Sequence, residues 1–370
     1  MDEGANPDHE PLPRLYRRWL DRLLGAPLRR EKKANCSQCP MCRAGDTAAL
    51  EVYRPDVKCC TYTPKLPNFL VGSVLSDAAT DERTRAVLTA RIEDASSASP
   101  LGLRAAPLYR LVYEAAKAQG FGKLESLACP YLTISATGGQ CGVWNHRNSA
   151  CSTWFCKHID GPHGAAVWRE VESLLRRVES LLSLWACFRL GLSARTLAEL
   201  RAEVEADSAA RVTGELLGTW EANTAKLWSD WSGDKLGFYR ESFALIDALS
   251  WADVLALGGA ELSVQAEALA ALVQAQRGHP PSGLQLGSFR IQPAGSGTFI
   301  LVTYSRTDCV AVTRAELAAL ATTPDDSSRV EEHLRRSMSP EKLAALISIG
   351  VLITRERQAY SPQSLHGGML

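Results

Sequence analysis

Residues 141–158 read CGVWNHRNSACSTWFCKH, three cysteines, two histidines and two tryptophans within eighteen positions. Thiols at this density form either a disulfide-stapled loop or part of a metal site, and the choice decides what kind of domain surrounds them. The opening segment MDEGANPDHEPLP is acidic and proline-containing, with no apolar stretch of the kind a secretory leader needs. No run of about 18 consecutive apolar residues follows it. The expectation is a cytoplasmic protein without a membrane span, where thiols stay reduced and clustered cysteines serve as metal ligands.

Working outward, nine of the eleven cysteines lie between residues 36 and 156, and Cys187 and Cys309 stand alone beyond them. CSQCPMC carries Cys36, Cys39 and Cys42 at two-residue spacing, which closes a tight loop with three thiolates turned inward. Such loops serve tetrahedral zinc and iron–sulfur clusters alike. Pro40 stiffens the turn, and Lys32 and Lys33 offset part of the charge that thiolates build up. VKCCTY supplies Cys59 and Cys60; adjacent side chains point to opposite sides of the backbone, so at most one joins a given centre. Then Cys129, Cys141, Cys151 and Cys156 follow as C-x11-C-x9-C-x4-C, four further thiolates. His146 and His158 are candidate imidazole ligands or supporting donors, against the plainer reading of loop histidines that serve the backbone. Nine thiolates exceed one tetrahedral site or one cubane and could fill two. Cys187 in LLSLWACFRLG and Cys309 in DCVAV sit in apolar contexts and read as small core hydrophobes.

These residues resemble the YkgJ-type cysteine-rich proteins, a family described as zinc/iron-chelating. Its pattern is a C-x2-C-x2-CC-like group, then C-x-x-L, then C-x-[IV]-[YW]-x-x-R-P-x-x-C. The matching pieces here are Cys36, Cys39 and Cys42 with the Cys59–Cys60 pair, Cys129-Pro130-Tyr131-Leu132, Cys141 to Asn148, and Cys151. In two places the chain departs from it. The double cysteine is displaced by sixteen residues from the first group, and Asn148 stands where the family has proline. The resemblance implies metal binding and no single reaction; within the opening stretch Arg147 and Trp144 read as supporting residues. A [4Fe–4S] cluster is favoured over zinc, because C-x2-C-x2-C with a remote fourth cysteine is the ferredoxin-like arrangement.

The rest of the chain sets the fold class: mainly α, with a cysteine-rich metal-binding domain, a helical middle region and a small α+β domain at the C-terminal end. Residues 1–33 read as a tail and a basic helix, RLYRRWLDRLLGAPLRREKK, and 34–160 as the cysteine-rich domain. Residues 161–280 form the helical region, in which Val167, Val171, Leu174, Val178, Leu181 and Trp185 recur at helical spacing. Its tryptophans, Trp168, Trp185, Trp220, Trp228, Trp231 and Trp251, are read as core and not as a ligand pocket. HPPSG is a linker.

From 285 to 356 alternating strands give way to three helices, one beginning at Thr313 or Arg314 and one capped by Ser339 with Pro340 at its first position, and then a short strand. In outline this unit is similar to the PqqD-type winged-helix peptide-binding domains, which implies a protein or peptide partner. Residues 357–370 are a tail. With Lys plus Arg equal to Asp plus Glu at 41 each, and HLRR as the only basic patch there, there is no strong nucleic-acid signal. Neither a P-loop, a strand-linked G-x-G-x-x-G, H-E-x-x-H, G-x-S-x-G nor the radical-SAM spacing C-x3-C-x2-C occurs. Cys156-Lys157-His158 is the one compact candidate for a nucleophile, and metal ligation outweighs it.

Overall fold

A computed structural model describes residues 12–34, 36, 38–42, 52–135, 138–209, 226–277 and 283–354. Residues 1–11 of the acidic opening segment, Trp220 with most of the segment around it, nearly all of the HPPSG linker and the 357–370 tail lie outside the described residues. The described part is mainly α with small antiparallel sheets.

Two compact units are formed, each from three stretches of chain: Met1–Arg29, Arg54–Trp154 and Val171–Ala268 in the first, and Arg30–Tyr53, Phe155–Glu170 and Leu269–Leu370 in the second. The first unit begins with α1 (Arg14–Leu24), where Leu15, Tyr16, Trp19 and Leu20 are buried and Gly25, at φ 67°, stops the helix. Part of its basic run is engaged on the outside, with Arg14 and Arg18 pairing with Asp247 at 3.2 and 3.4 Å.

The short strands β1 (Leu66–Pro67), β2 (Ala98–Ser99) and β3 (Gly102–Leu103) form a sheet in the order β1-β3-β2, enclosing α2 (Asn68–Ser76) and α3 (Glu82–Glu93) in sequence. Then come α4 (Pro107–Gly120), the hairpin β4 (Leu132–Ser135) and β5 (Gly138–Cys141), and the single turn and a half of α5 (Ser149–Thr153). The long helix α6 (Gly161–Arg189) follows, then α7 (Ala194–Ala209), α8 (Lys235–Asp247) and α9 (Trp251–Arg277).

On α6 the buried stripe is Val171, Leu174, Leu175, Val178, Leu182 and Ala186. It agrees with the sequence spacing at its start and shifts by one residue further on, leaving Leu181 and Trp185 half-buried, because a straight helix turns by 3.6 residues and the stripe must follow its neighbours. Trp228 packs edge-on against Phe238 and Tyr239, and Trp231 against Phe238. Both tryptophans belong to one apolar core with Val71, Val74, Leu88, Ile92 and Cys187, as the core reading expects. The stretch Trp251–Ala275 of α9 is long and apolar enough by length and composition to cross a membrane. Gly259 breaks its helical geometry at φ 64° and ψ −159°, and Leu262, Ala266, Leu269 and Val273 are buried at helical spacing, so the apolar run is two amphipathic pieces meeting at a kink.

In the second unit β6 (Leu284–Leu286) pairs with the last strand, β10 (Leu352–Thr354), and β7 (Arg290–Pro293), β8 (Thr298–Val302) and β9 (Val310–Thr313) form a separate antiparallel sheet. Three helices, α10 (Arg314–Ala321), α11 (Ser327–Arg335) and α12 (Pro340–Ile349), lie between β9 and β10. The ends of α10 and α12 fall where the capping chemistry puts them. Thr313 and Glu316 form a reciprocal capping box, and Ser339 Oγ accepts from Lys342 N at 3.2 Å with Pro340 at the first helical position. Leu301, Val312, Leu320, Leu334, Leu346 and Leu352 fill this unit's own core.

Candidate metal centre

All eleven cysteines are thiols. Cys59, Cys60, Cys129, Cys141 and Cys151 fall in the first unit, and Cys36, Cys39, Cys42 and Cys156 in the second. The two predicted core residues are where expected. Cys187 is buried with Pro100 O at 3.3 Å, and burial pushes its thiol up to about 12. Cys309 is also buried, beside Ile300 and Val302.

In the first unit the C-x11-C spacing is the length of a hairpin. Leu132 on β4 faces Cys141 on β5, and Leu132 N donates to Cys129 O at 3.0 Å, so both ends of the motif arrive at the same end of the ribbon. The Cys59–Cys60 turn is tied to it: Cys129 N donates to Cys60 O at 2.8 Å, and Gly139 N to Pro55 O at 3.2 Å. Gly139 is glycine for a reason, since a Cβ there would come to 2.5 Å from Asp56 O. Lys58, just before the pair, holds φ 50°, a left-handed conformation that costs a lysine about 1 kcal/mol or more.

Cys151 rides on α5. Asn148 caps this helix, its side-chain oxygen accepting from Cys151 N at 3.0 Å. Arg147 donates to Trp144 O at 3.0 Å and to Cys151 O at 3.1 Å, and its guanidinium lies 3.5 Å from the centroid of the Trp144 ring.

The sulfurs of this unit sense one another. Burial pushes the Cys129 thiol well above its ordinary value, and Cys141 and Cys151 add to the effect. Burial does the same at Cys151, reinforced by Cys141, Cys59 and Glu179 and opposed by Arg147. The hairpin and its tie to the Cys59–Cys60 turn hold Cys129, Cys141 and Cys59 in one part of the unit, and the charges of Cys141, Cys59 and Arg147 bear on Cys151. As they stand, no three His, Cys, Asp or Glu side chains among the described residues are close enough together to hold an ion. In kind and number the donors suit a thiolate-bound metal, and the raised pKa values of Cys129 and Cys151 mean that binding there would release protons.

His146 is not a candidate ligand. Its Nδ1 lies 2.8 Å from Ser73 Oγ and its Nε2 2.9 Å from Asp77 Oδ2, so both ring nitrogens are engaged. Burial lowers its pKa from the ordinary 6.5 against the pull of Asp77. Burial raises the Asp77 carboxyl, but the Ala79 N–H and His146 more than offset this, and its pKa is lowered. The folded chain thus binds fewer protons at both groups than the unfolded chain does in mild acid. Stability is expected to fall as pH drops below about 6.5 through His146, and again below about 4 through Asp77. Thermal unfolding from about pH 7 to 5 should show a slope that His146→Gln reduces; an equal slope in the variant would place the acid sensitivity elsewhere.

In the second unit, Cys42 N donates to Cys39 O at 3.2 Å, closing the turn expected at Pro40, and the buried Met41 anchors it through Tyr53 N at 2.8 Å. Cys156 O accepts from Thr307 at 2.6 Å. His158 is buried, its Nδ1 has no hydrogen-bond partner, and its ring lies edge-on to Phe155 and Tyr304. Burial, with the charges of Arg169 and Lys33, lowers its pKa to about 4, so the imidazole is neutral at physiological pH.

Some supporting residues carry no motif. Buried Glu31 accepts from Ile159 N at 2.6 Å and Trp168 Nε1 at 2.8 Å. Buried Glu179 accepts from Tyr16 OH and Ser149 N at 2.5 Å and from Ser149 OH at 2.8 Å. The signal for Glu179 was an acid at a position of the α6 apolar stripe. Compared with protein-family models, curated proteins and solved structures, the chain matches none.

Proposed function

We propose that this is a thiolate metal-binding protein that carries one or two cysteine-ligated iron–sulfur clusters or iron centres and works in redox or protein or peptide modification with a partner. The observation that carries the reading is the hydrogen-bonded tie between the Cys129–Cys141 hairpin and the Cys59–Cys60 turn, which brings together thiols distant in sequence, with Arg147 bonded to the carbonyl of Cys151. Hydrophobic packing alone does not call for four thiols and a buried cation together. The likeness to the YkgJ-type pattern supports it, as does the ferredoxin-like spacing of Cys36, Cys39 and Cys42. A bound cluster would supply one-electron transfer, with the cationic Arg147 offsetting thiolate charge. The run of strands, three capped helices and a closing strand over 284–354 supports a winged-helix-like module for the partner, and a cytoplasmic setting, where thiols stay reduced, suits the proposed ligands.

Protein purified without oxygen should be brown, with iron and sulfide by elemental analysis and charge-transfer absorption in the visible. A colourless protein with stoichiometric zinc would make it a zinc-stabilised interaction module, and absence of both metals would refute metal binding. Cys39→Ser is expected to cost much of the absorption and Cys187→Ser none of it, since Cys187 is enclosed by Asn68 and Pro100 within the core.

A further inference from the structure

Sequence spacing puts Cys156 with Cys129, Cys141 and Cys151. The fold assigns Cys156 to a different compact unit. Between Cys151 and Cys156 the chain leaves the first unit after Trp154 and enters the second at Phe155. The two aromatic neighbours mark the change: Trp154 packs against Phe121, and Phe155 against Trp168.

The residues after Cys156 are bound to those just before CSQCPMC. Ile159 N and Trp168 Nε1 donate to the Glu31 carboxylate at 2.6 and 2.8 Å, and Lys33 Nζ to His158 O at 3.4 Å. Lys33 also bonds to Ser348 Oγ, which fixes its direction. Cys36 lies three residues beyond Lys33, and Cys156 two residues before His158. A buried carboxylate with two strong donors is an expensive tether unless the register it fixes is needed. Beside it stands His158, over nine-tenths buried, with an unpartnered Nδ1.

We infer that the clustered thiols form two separate ligand sets: Cys36, Cys39 and Cys42 with Cys156 as fourth donor and His158 adjacent, and Cys59, Cys129, Cys141 and Cys151. The inference deepens the proposed metal-binding function and rests on it for the identity of the ligand, a soft metal or iron–sulfur cluster, but not for the grouping of the thiols. Cys60 is assigned to neither set, because side chains of adjacent residues point to opposite sides of the backbone and Cys59 is the one whose charge bears on Cys151.

The test has two arms on the full chain. In the first, metal content is measured on anaerobically purified wild type, Cys39→Ser, Cys141→Ser and Cys156→Ser, and on the Cys156→Ser doubles with each of the others. Cys39→Ser and Cys156→Ser should lose the same fraction, their double no more than either, and the Cys141→Ser/Cys156→Ser double nearly all of it. A Cys141→Ser/Cys156→Ser double that loses no more than Cys141→Ser alone would overturn the grouping. In the second, metal-free protein is treated with dibromobimane, which bridges neighbouring thiols, and the joined peptides are mapped. A bridge from Cys156 to Cys36, Cys39 or Cys42 supports the inference; one to Cys129, Cys141 or Cys151 overturns it. A wild type that binds no metal would refute the proposed function while this second arm still decides the grouping.

Discussion

Gly72→Ala is expected to destabilise the first unit by about 2 to 3 kcal/mol, although alanine is the better helix former by about 1 kcal/mol. Gly72 sits in the middle of α2, in FLVGSVL, where propensity alone would welcome the change. An added Cβ, however, would land on the Tyr239 carbonyl and come within 2.8 Å of Phe243 Cβ on α8. The obstacle is helix backbone and cannot swing aside as a long side chain would. Relief requires the two helices to move apart, which opens the contact that buries Val71, Val74, Phe238 and Tyr239. The urea midpoint should fall with an unchanged slope. The disturbance also reaches the candidate centre, because the next residue, Ser73, holds His146 in the loop between Cys141 and Cys151. Amide exchange in that loop should quicken; a variant as stable as wild type would mean that the α2–α8 approach is looser than described.

What could be read from the sequence was local. Thr313 with Glu316, and Ser339 with Pro340, mark helix starts because capping involves residues three apart and needs no distant partner. The apolar stripe on α6 was legible for the same reason, until its phase came to depend on what packs against it. The nine thiols could be counted as candidates, since their types and spacings lie on the surface of the sequence. Their grouping could not. A run of C-x9-C-x4-C invites one centre, and nothing in ACSTWFCKH reveals that the chain passes from one compact unit to the other between Trp154 and Phe155. His146 was likewise illegible, because its partners Ser73 and Asp77 are about seventy residues away. Glu31 and Glu179 were hidden by their charge, which reads as surface in any pattern of hydrophobicity until the donors that satisfy it are known.

Glu179→Ala is expected to cost about 3 kcal/mol or more, as large as the loss of a core side chain. Three donors converge on the carboxylate, Tyr16 OH, Ser149 N and Ser149 OH, and each would be left buried and unpaired at about 1 kcal/mol or more. Burial raises the Glu179 pKa, so the group itself carries a desolvation penalty that alanine removes. The unpaired donors and the cavity outweigh that gain, because the penalty falls once while the three donors, Ser149 N at the first turn of α5 among them, have no water to turn to. Glu179→Gln separates the two effects. Its amide oxygen can still accept from Tyr16 OH and Ser149 N, and only the Ser149 hydroxyl is left facing an N–H, so a loss of about 1 kcal/mol is expected. The order Ala well below Gln is the discriminating result, read from chemical unfolding. Equal losses would mean that charge, not acceptor geometry, holds the site. Ser149 opens the helix that carries Cys151, so the alanine variant should also label faster at Cys151 with a thiol reagent, while the core thiol Cys187, bonded to Pro100 O, keeps its wild-type rate until the unit unfolds.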